Sequence, residues 1–339
     1  MTFASAPGKI ILFGEHAVVY GRPALAIPVT QVHADVEVLD STRAGIWIDA
    51  PDVNLHVELN TLPSDHPIAS VIHNFLFLWQ NFPSFVGRLR SAPKGEVRGE
   101  GRFPNLDIKI TSTIPVASGL GSGAAVTVAL TRALSSHLNH PMTDDAEAVN
   151  AFAYEIEKLH HGTPSGIDNT VVTYARPVYF VKHLPSPSRR GAGSEVETFK
   201  VGSPFTIVIG DTGISAPTKE SVGDVRKLWK ADKARWEIIF DKVGEIAKQA
   251  RGSIESGKWE MLGELMNENH SLLQQMTVSS PELDSLVSAA RNTGALGAKL
   301  SGSGRGGNMI ALVGHEKAEE VASALMIAGA KRTLTTTVT

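Results

Sequence analysis

Three polar residues of the 339-residue chain are of the types that phosphoryl transfer requires: Lys9, in an otherwise apolar and glycine-rich opening, Glu157, and Asp168. Such a reaction asks for a carboxylate that accepts or orients the proton of the acceptor hydroxyl and for an oxygen ligand to a metal. It also asks for cations or dipoles on the phosphates, because position and charge stabilise the transition state. Asp168 ends the run HHGTPSGID, whose proline and glycines form a turn able to aim a carboxylate. Taken alone, it fits equally the commoner role of Asp in such a run, capping the amides of its own turn. His160 and His161 could be a metal pair, but adjacent residues diverge on a helix and no third ligand is spaced for zinc.

The dipoles would come from PVASGLGSGAA, which begins at Pro115. Its small residues lie between a strand-like segment and the Ala- and Leu-rich AAVTVALTRALSSHL, so backbone N–H groups could face an anion at a helix N-terminus. A glycine-rich turn also forms for steric reasons alone, and this one contains neither GxxxxGK[ST] nor GxGxxG. In the opening APGKIILFGEHAVVYG, Lys9, Glu15 and His16 are embedded in apolar sequence and need partners. A strand-edge lysine and a satisfied turn account for them as well as a ligand cleft does.

The elements that would position these residues follow from periodicity and punctuation. Ile10–Phe13 and Val32–Val38 have strand-like spacing and are separated by the glycine- and proline-marked Gly21–Pro28, which predicts an opening antiparallel pair. Residues 85–105 read as a loop, a mobile hairpin or lid, before a strand at Leu106–Thr111. Thr143 and Asp144 sit ahead of an expected helix that runs to about His160, with Asp145 and Glu147 in its first turn. The linker-like LPSPSRRGAGSE places a domain boundary between 1–185 and 186–339. Beyond it come strand-like TIVIGDTG, charged helices over about 218–275, a helix from Pro281, and the glycine-rich Lys299–Gly307 ahead of strand-like NMIALVG. The architecture reads as α+β in two domains, a number that the length also favours.

Composition narrows the partners. With 32 Lys plus Arg against 35 Asp plus Glu, the chain lacks the field a nucleic-acid binder needs, which points to a small ligand. The absence of Cys excludes disulfides, thiolate metal sites and a thiol nucleophile. No window reaches the length of a membrane span, and the first residues do not read as a secretory signal, so a cytoplasmic protein without a membrane role is expected.

Three segments, APGKIILFGEHAVVYG, PVASGLGSGAAV and KLSGSGRGGN, stand in the order of the three signature segments of the galactokinase, homoserine kinase, mevalonate kinase and phosphomevalonate kinase superfamily, which the chain resembles over nearly its whole length. GEHAVVYG, HHGTPSGIDNTV and DTGISAPTKESVGDVRK resemble its mevalonate kinase branch in particular. The resemblance implies an N-terminal ATP-binding domain like ribosomal protein S5 domain 2 and a ferredoxin-like C-terminal domain. It implies ATP as co-substrate, Mg²⁺ as cofactor and mevalonate as acceptor, and it is compatible with a homodimer. By the same resemblance Asp168 matches the catalytic aspartate and Lys9 the lysine paired with it. Glu157 matches the metal-ligand glutamate. Pro115, Ser118, Gly119, Leu120, Gly121, Ser122, Gly123 and Ala124 match the loop over the ATP phosphates, with Ser122 also a metal ligand. Glu15, His16, Asp168, Thr218, Gly302 and Ser303 match the substrate side. Three positions depart from the family pattern: Gly123 replaces a second serine, Arg305 a glycine, and Asn308 a small apolar residue or Cys. Arg305 could reach a phosphate or the substrate carboxylate, or remain solvated.

Overall fold

The computed structural model describes residues 1–81, 103–115, 118–161, 164–183, 193–215 and 218–339. Most of the lid expected at 85–105 and most of the linker at 184–195 fall outside the described residues. The chain forms two compact units, the first made of Met1–Gly8, Val32–Pro115 and Gly121–Ala175, the second of Lys9–Gln31, Val116–Leu120 and Arg176–Thr339. Two long strands, β1 (Thr2–Phe13) and β2 (Pro23–Asp40), contribute residues to both.

In the first unit Val32, Ala34, Val36 and Val38 are buried while the residues between them are not, the period of two that gives β2 one apolar face. Its far half pairs antiparallel with β5 (Leu106–Ser112), matching Val36 to Ile110 and Val38 to Ile108. The strand β3 (Ile46–Ala50) lies parallel to β5 and antiparallel to β4 (Leu55–Glu58). Four helices pack on one another: α1 (Pro67–Asn81), α2 (Ser122–His137), α3 (Ala146–His161) and α4 (Ile167–Tyr174). The side chain of Asp145 accepts from the Ala148 amide at 2.9 Å and so starts α3 where the acidic turn predicts.

The near half of β2 belongs to the second unit and corrects the expected turn. The chain reverses at the 3₁₀ turn Ala17–Tyr20 and at Gly21, whose φ is 81°, and strand begins at once at Pro23. Proline is tolerated at a strand's first residue, and Ala24–Ile27 are fully buried, which overrides the turn-like composition. Pro23–Ala26 pair with β6 (Val178–His183), which pairs with β7 (Gly193–Thr198).

The remainder of that unit carries β8 (Phe205–Asp211), β9 (Gly297–Ser301), β10 (Asn308–Val313) and β11 (Arg332–Val338) in the order β11-β8-β10-β9, every neighbouring pair antiparallel. With a helical run between β8 and β9 and α9 (Ala318–Ile327) between β10 and β11, this is the ferredoxin-like arrangement. The helical run comprises α5 (Thr218–Ala231), α6 (Lys233–Ser256) and α7 (Trp259–Gln275), where the sequence predicts charged helices, and α8 (Pro281–Asn292), the helix expected from Pro281. Ser280 caps α8 through its hydroxyl, and Pro281 occupies the first turn. No helix among the described residues is long and apolar enough to cross a membrane.

Candidate active site

In the first unit the site residues sit at helix ends. Asp168 lies in the first turn of α4, an element the sequence reading does not contain because eight residues behind a Pro- and Gly-rich run offer little periodicity. Gly166, at φ 90°, turns the chain into this helix, and the Thr170 hydroxyl donates back to its carbonyl at 2.7 Å. The next residue, Asn169, is 2% exposed and donates to the Asn150 side chain on α3 at 2.6 Å, which fixes α4 and hence the half-buried Asp168. Glu157 is half-buried near the C-terminal end of α3. Ser122 opens α2 behind Gly121, whose φ of 79° makes the turn, and among the described residues no side chain caps this helix start. Its leading N–H groups are therefore available to an anion. Ala124 is buried behind them, Gly123 is exposed, and a Cβ added at Gly123 would meet nothing within 4 Å. Pro115 is half-buried, whereas Val116 and Ala117 fall outside the described residues.

In the second unit the opening segment meets the last glycine-rich run. Lys9 is 4% exposed, and its amide donates to the Leu120 carbonyl at 2.9 Å. The buried Ser118 and Leu120 flank an exposed Gly119 at φ 77°. Only glycine fits at position 14, since a Cβ there would lie 2.5 Å from the Ala24 Cα, and the turn it makes delivers Glu15 and His16. Glu15 is sealed from solvent in an ion pair with Lys299, and Asn269 donates to its other oxygen at 3.2 Å. The expectation of a pocket-lining Glu15 thus meets a buried pair: charges in apolar sequence have found partners in β9 and α7. Burial pushes the Lys299 ammonium below its ordinary range, with Glu15 opposing.

His16 is 5% exposed and holds a φ of 60°. Its Nε2 lies 3.1 Å from the Ser303 carbonyl, so Nε2 carries the proton and donates. Nδ1 is then a bare acceptor, buried and without a hydrogen-bond partner among the described residues. Burial lowers the His16 pKa to about 4 and keeps the ring neutral at pH 7. Thr218 at the start of α5 donates to the Ser303 hydroxyl at 3.3 Å, so Ser303, beside Gly302, gathers His16 and Thr218 to one turn. Ala216 and Pro217 lie outside the described residues. Arg305 is not merely solvated: it donates to Asp224 on α5 at 2.7 Å.

Within the first unit, a capless helix start behind a glycine turn and a carboxylate carried by α4 suit a phosphorylated ligand; within the second, His16 offers a neutral acceptor. The sequence matches the GHMP kinases N terminal domain over residues 89–176 and the GHMP kinases C terminal family over residues 250–331. It is 35% identical to a mevalonate kinase of Pyrococcus abyssi over 97% of this chain and 93% of that protein. The chain belongs to the GHMP kinases. Against a mevalonate kinase of Thermococcus gammatolerans this GHMP kinase is 37% identical over 96% of its own length and 93% of the relative's. The crystal structure of L. major mevalonate kinase in complex with R-mevalonate superposes with a TM-score of 0.78 at 29% identity, covering 100% of this GHMP kinase and 96% of that chain. The residues missed in the sequence are supporting ones, Asn169, Asn269 and Lys299. Only Lys299, a lysine inside an apolar strand, carries a readable signal.

Proposed function

We infer that this GHMP kinase is a mevalonate kinase, moving the γ-phosphoryl group of ATP to a hydroxyl of mevalonate. The observation that carries the inference is the near full-length likeness, at 35–37% identity, to archaeal proteins named for that activity. In the proposed reaction the acceptor oxygen bonds to the γ-phosphorus as the bond to the β-phosphate oxygen breaks. Asp168 accepts or orients the hydroxyl proton, and Lys9 stabilises the developing alkoxide. The amides from Ser118 to Ala124, behind Pro115, hold the triphosphate. His16, Thr218, Gly302 and Ser303 form the substrate side, with the bare Nδ1 of His16 accepting from a substrate hydroxyl. Glu15 supports that wall from within.

Glu157 and Ser122 offer hard oxygen donors, and the described residues contain no cluster of three His, Cys, Asp or Glu able to cage a metal. That donor set fits Mg²⁺, which keeps several waters and takes its other ligands from phosphates. When bound, Mg²⁺ would neutralise charge on the phosphates.

The test is ADP release with Mg²⁺-ATP against mevalonate, phosphomevalonate, galactose and homoserine, with mass spectrometry of the product. Formation of 5-phosphomevalonate is expected. Turnover only with another acceptor would keep the chemistry of Asp168 and Lys9 and overturn the substrate.

A further inference from the structure

We infer that Asn308 is a positioning residue for nucleotide binding, one that clamps the start of the phosphate loop. The inference rests on the reading of Ser118–Ala124 as that loop. As first residue of β10, Asn308 stands opposite Asp211 on one side and Ser301 on the other, so its backbone is fixed within the sheet. Its side chain is 2% exposed, and Nδ2 donates to the Ser118 carbonyl. At the other end of the same three residues the Lys9 amide donates to the Leu120 carbonyl. Between the two anchors lies Gly119, exposed and left-handed, whose added Cβ would come 3.6 Å from the Asn308 amide nitrogen. A chain of small residues is loose by itself, and ordering it at the moment of binding subtracts from affinity. Two anchors around one glycine remove that ordering step.

The other half of the amide supports a role beyond packing. Donation from Nδ2 fixes the orientation of the group, and Oδ1 is then buried without a hydrogen-bond partner among the described residues. Burying an unpaired acceptor is unfavourable, and an apolar side chain of similar size would avoid it. An asparagine here disfavours the fold locally, and what it supplies in return is the hold on Ser118.

The test measures ADP affinity by titration calorimetry, with the mevalonate KM and the melting temperature alongside, for the wild type and for Asn308→Ala, Asn308→Leu and Asn308→Asp. ADP binding is expected to weaken about 5- to 20-fold in the Ala and Leu variants, as for the loss of one such hydrogen bond. The Asp variant, which sets a carboxylate against the Ser118 carbonyl, should be at least as weak. The mevalonate KM should stay within about twofold, and the Leu variant, which loses both the unpaired Oδ1 and the donor to Ser118, should melt close to the wild type. Wild-type affinity in the Leu variant would overturn the role of Asn308 alone. A wild type that binds no ADP would remove the loop reading with it. Losses that track a falling melting temperature in all three variants would assign Asn308 to the core and overturn the inference.

Discussion

Lys299 and Glu15, 284 positions apart, form an ion pair in which both side chains are at 0% exposure. The Lys299 ammonium also donates to the Leu300 carbonyl at 2.6 Å, and Asn269 takes the second carboxylate oxygen, so the pair is embedded in hydrogen bonds. Two charges removed from water are held by one another, and removing either strands its partner. Glu15→Gln and Lys299→Met are each expected to destabilise the protein by about 3–5 kcal/mol. The double variant should lose clearly less than the sum, because neither charge is then left unpaired. Urea unfolding of the four proteins measures the coupling, and additive losses would show that the pair does not act as a unit.

Asp168→Asn keeps the size and the helix position of the side chain and removes its charge. Turnover should fall by at least about a thousandfold, since the acceptor proton then has no carboxylate to receive or orient it. Binding of ATP should change less than about threefold, because Asp168 is assigned no contact with the phosphates. Steady-state kinetics and nucleotide titration separate the two quantities, and retention of most activity would remove Asp168 from the reacting groups.

Local chemistry made part of this legible from sequence. The alternation in Val32–Val38, the helix behind Thr143 and Asp144 and the helix from Pro281 are each set by neighbours within a few residues, and each forms close to where the pattern puts it, Asp145 capping α3 rather than entering its first turn. The strand at Pro23–Ile27 was hidden because its composition is that of a turn and its burial comes from distant chain. The buried charges follow the same logic. Glu15 announces that it needs a partner, but nothing near it says that the partner is Lys299. Arg305 likewise reads as free to reach a ligand until α5 brings Asp224 to it.

Two histidines of the second unit make acid sensitivity a property of the fold. Burial lowers the pKa of His16 to about 4 and that of His270 to about 4, the latter against the pull of Asp284 at 3.1 Å and with Arg291 and Lys299 lowering it further. The unfolded chain takes up these protons as pH falls below about 6.5, whereas the folded chain resists until about 4. The stability is therefore full above about pH 6.5 and is lost as pH falls towards 4. Melting temperatures from pH 7.5 to 4.5 should drop more steeply for the wild type than for His270→Gln. An identical slope in the variant would place the acid sensitivity elsewhere.

Gly123 offers the opposite experiment, a gain. It is the second residue of α2, exposed, and an added Cβ would meet nothing within 4 Å, so a serine enters without a clash. Serine forms helix more readily than glycine and restricts the unfolded chain, which should stabilise the protein by about 0.5–1 kcal/mol. Its hydroxyl would stand beside that of Ser122 at the helix start assigned to the phosphates, where another oxygen donor suits a hard cation. Gly123→Ser is accordingly expected to lower the Mg²⁺ concentration for half-maximal activity by about two- to fivefold, with a slightly raised melting temperature. A magnesium titration at fixed ATP reads the first effect and thermal unfolding the second. A higher melting temperature with a raised Mg²⁺ requirement would mean that the gap at Gly123 is used by a water or a phosphate oxygen that the serine displaces.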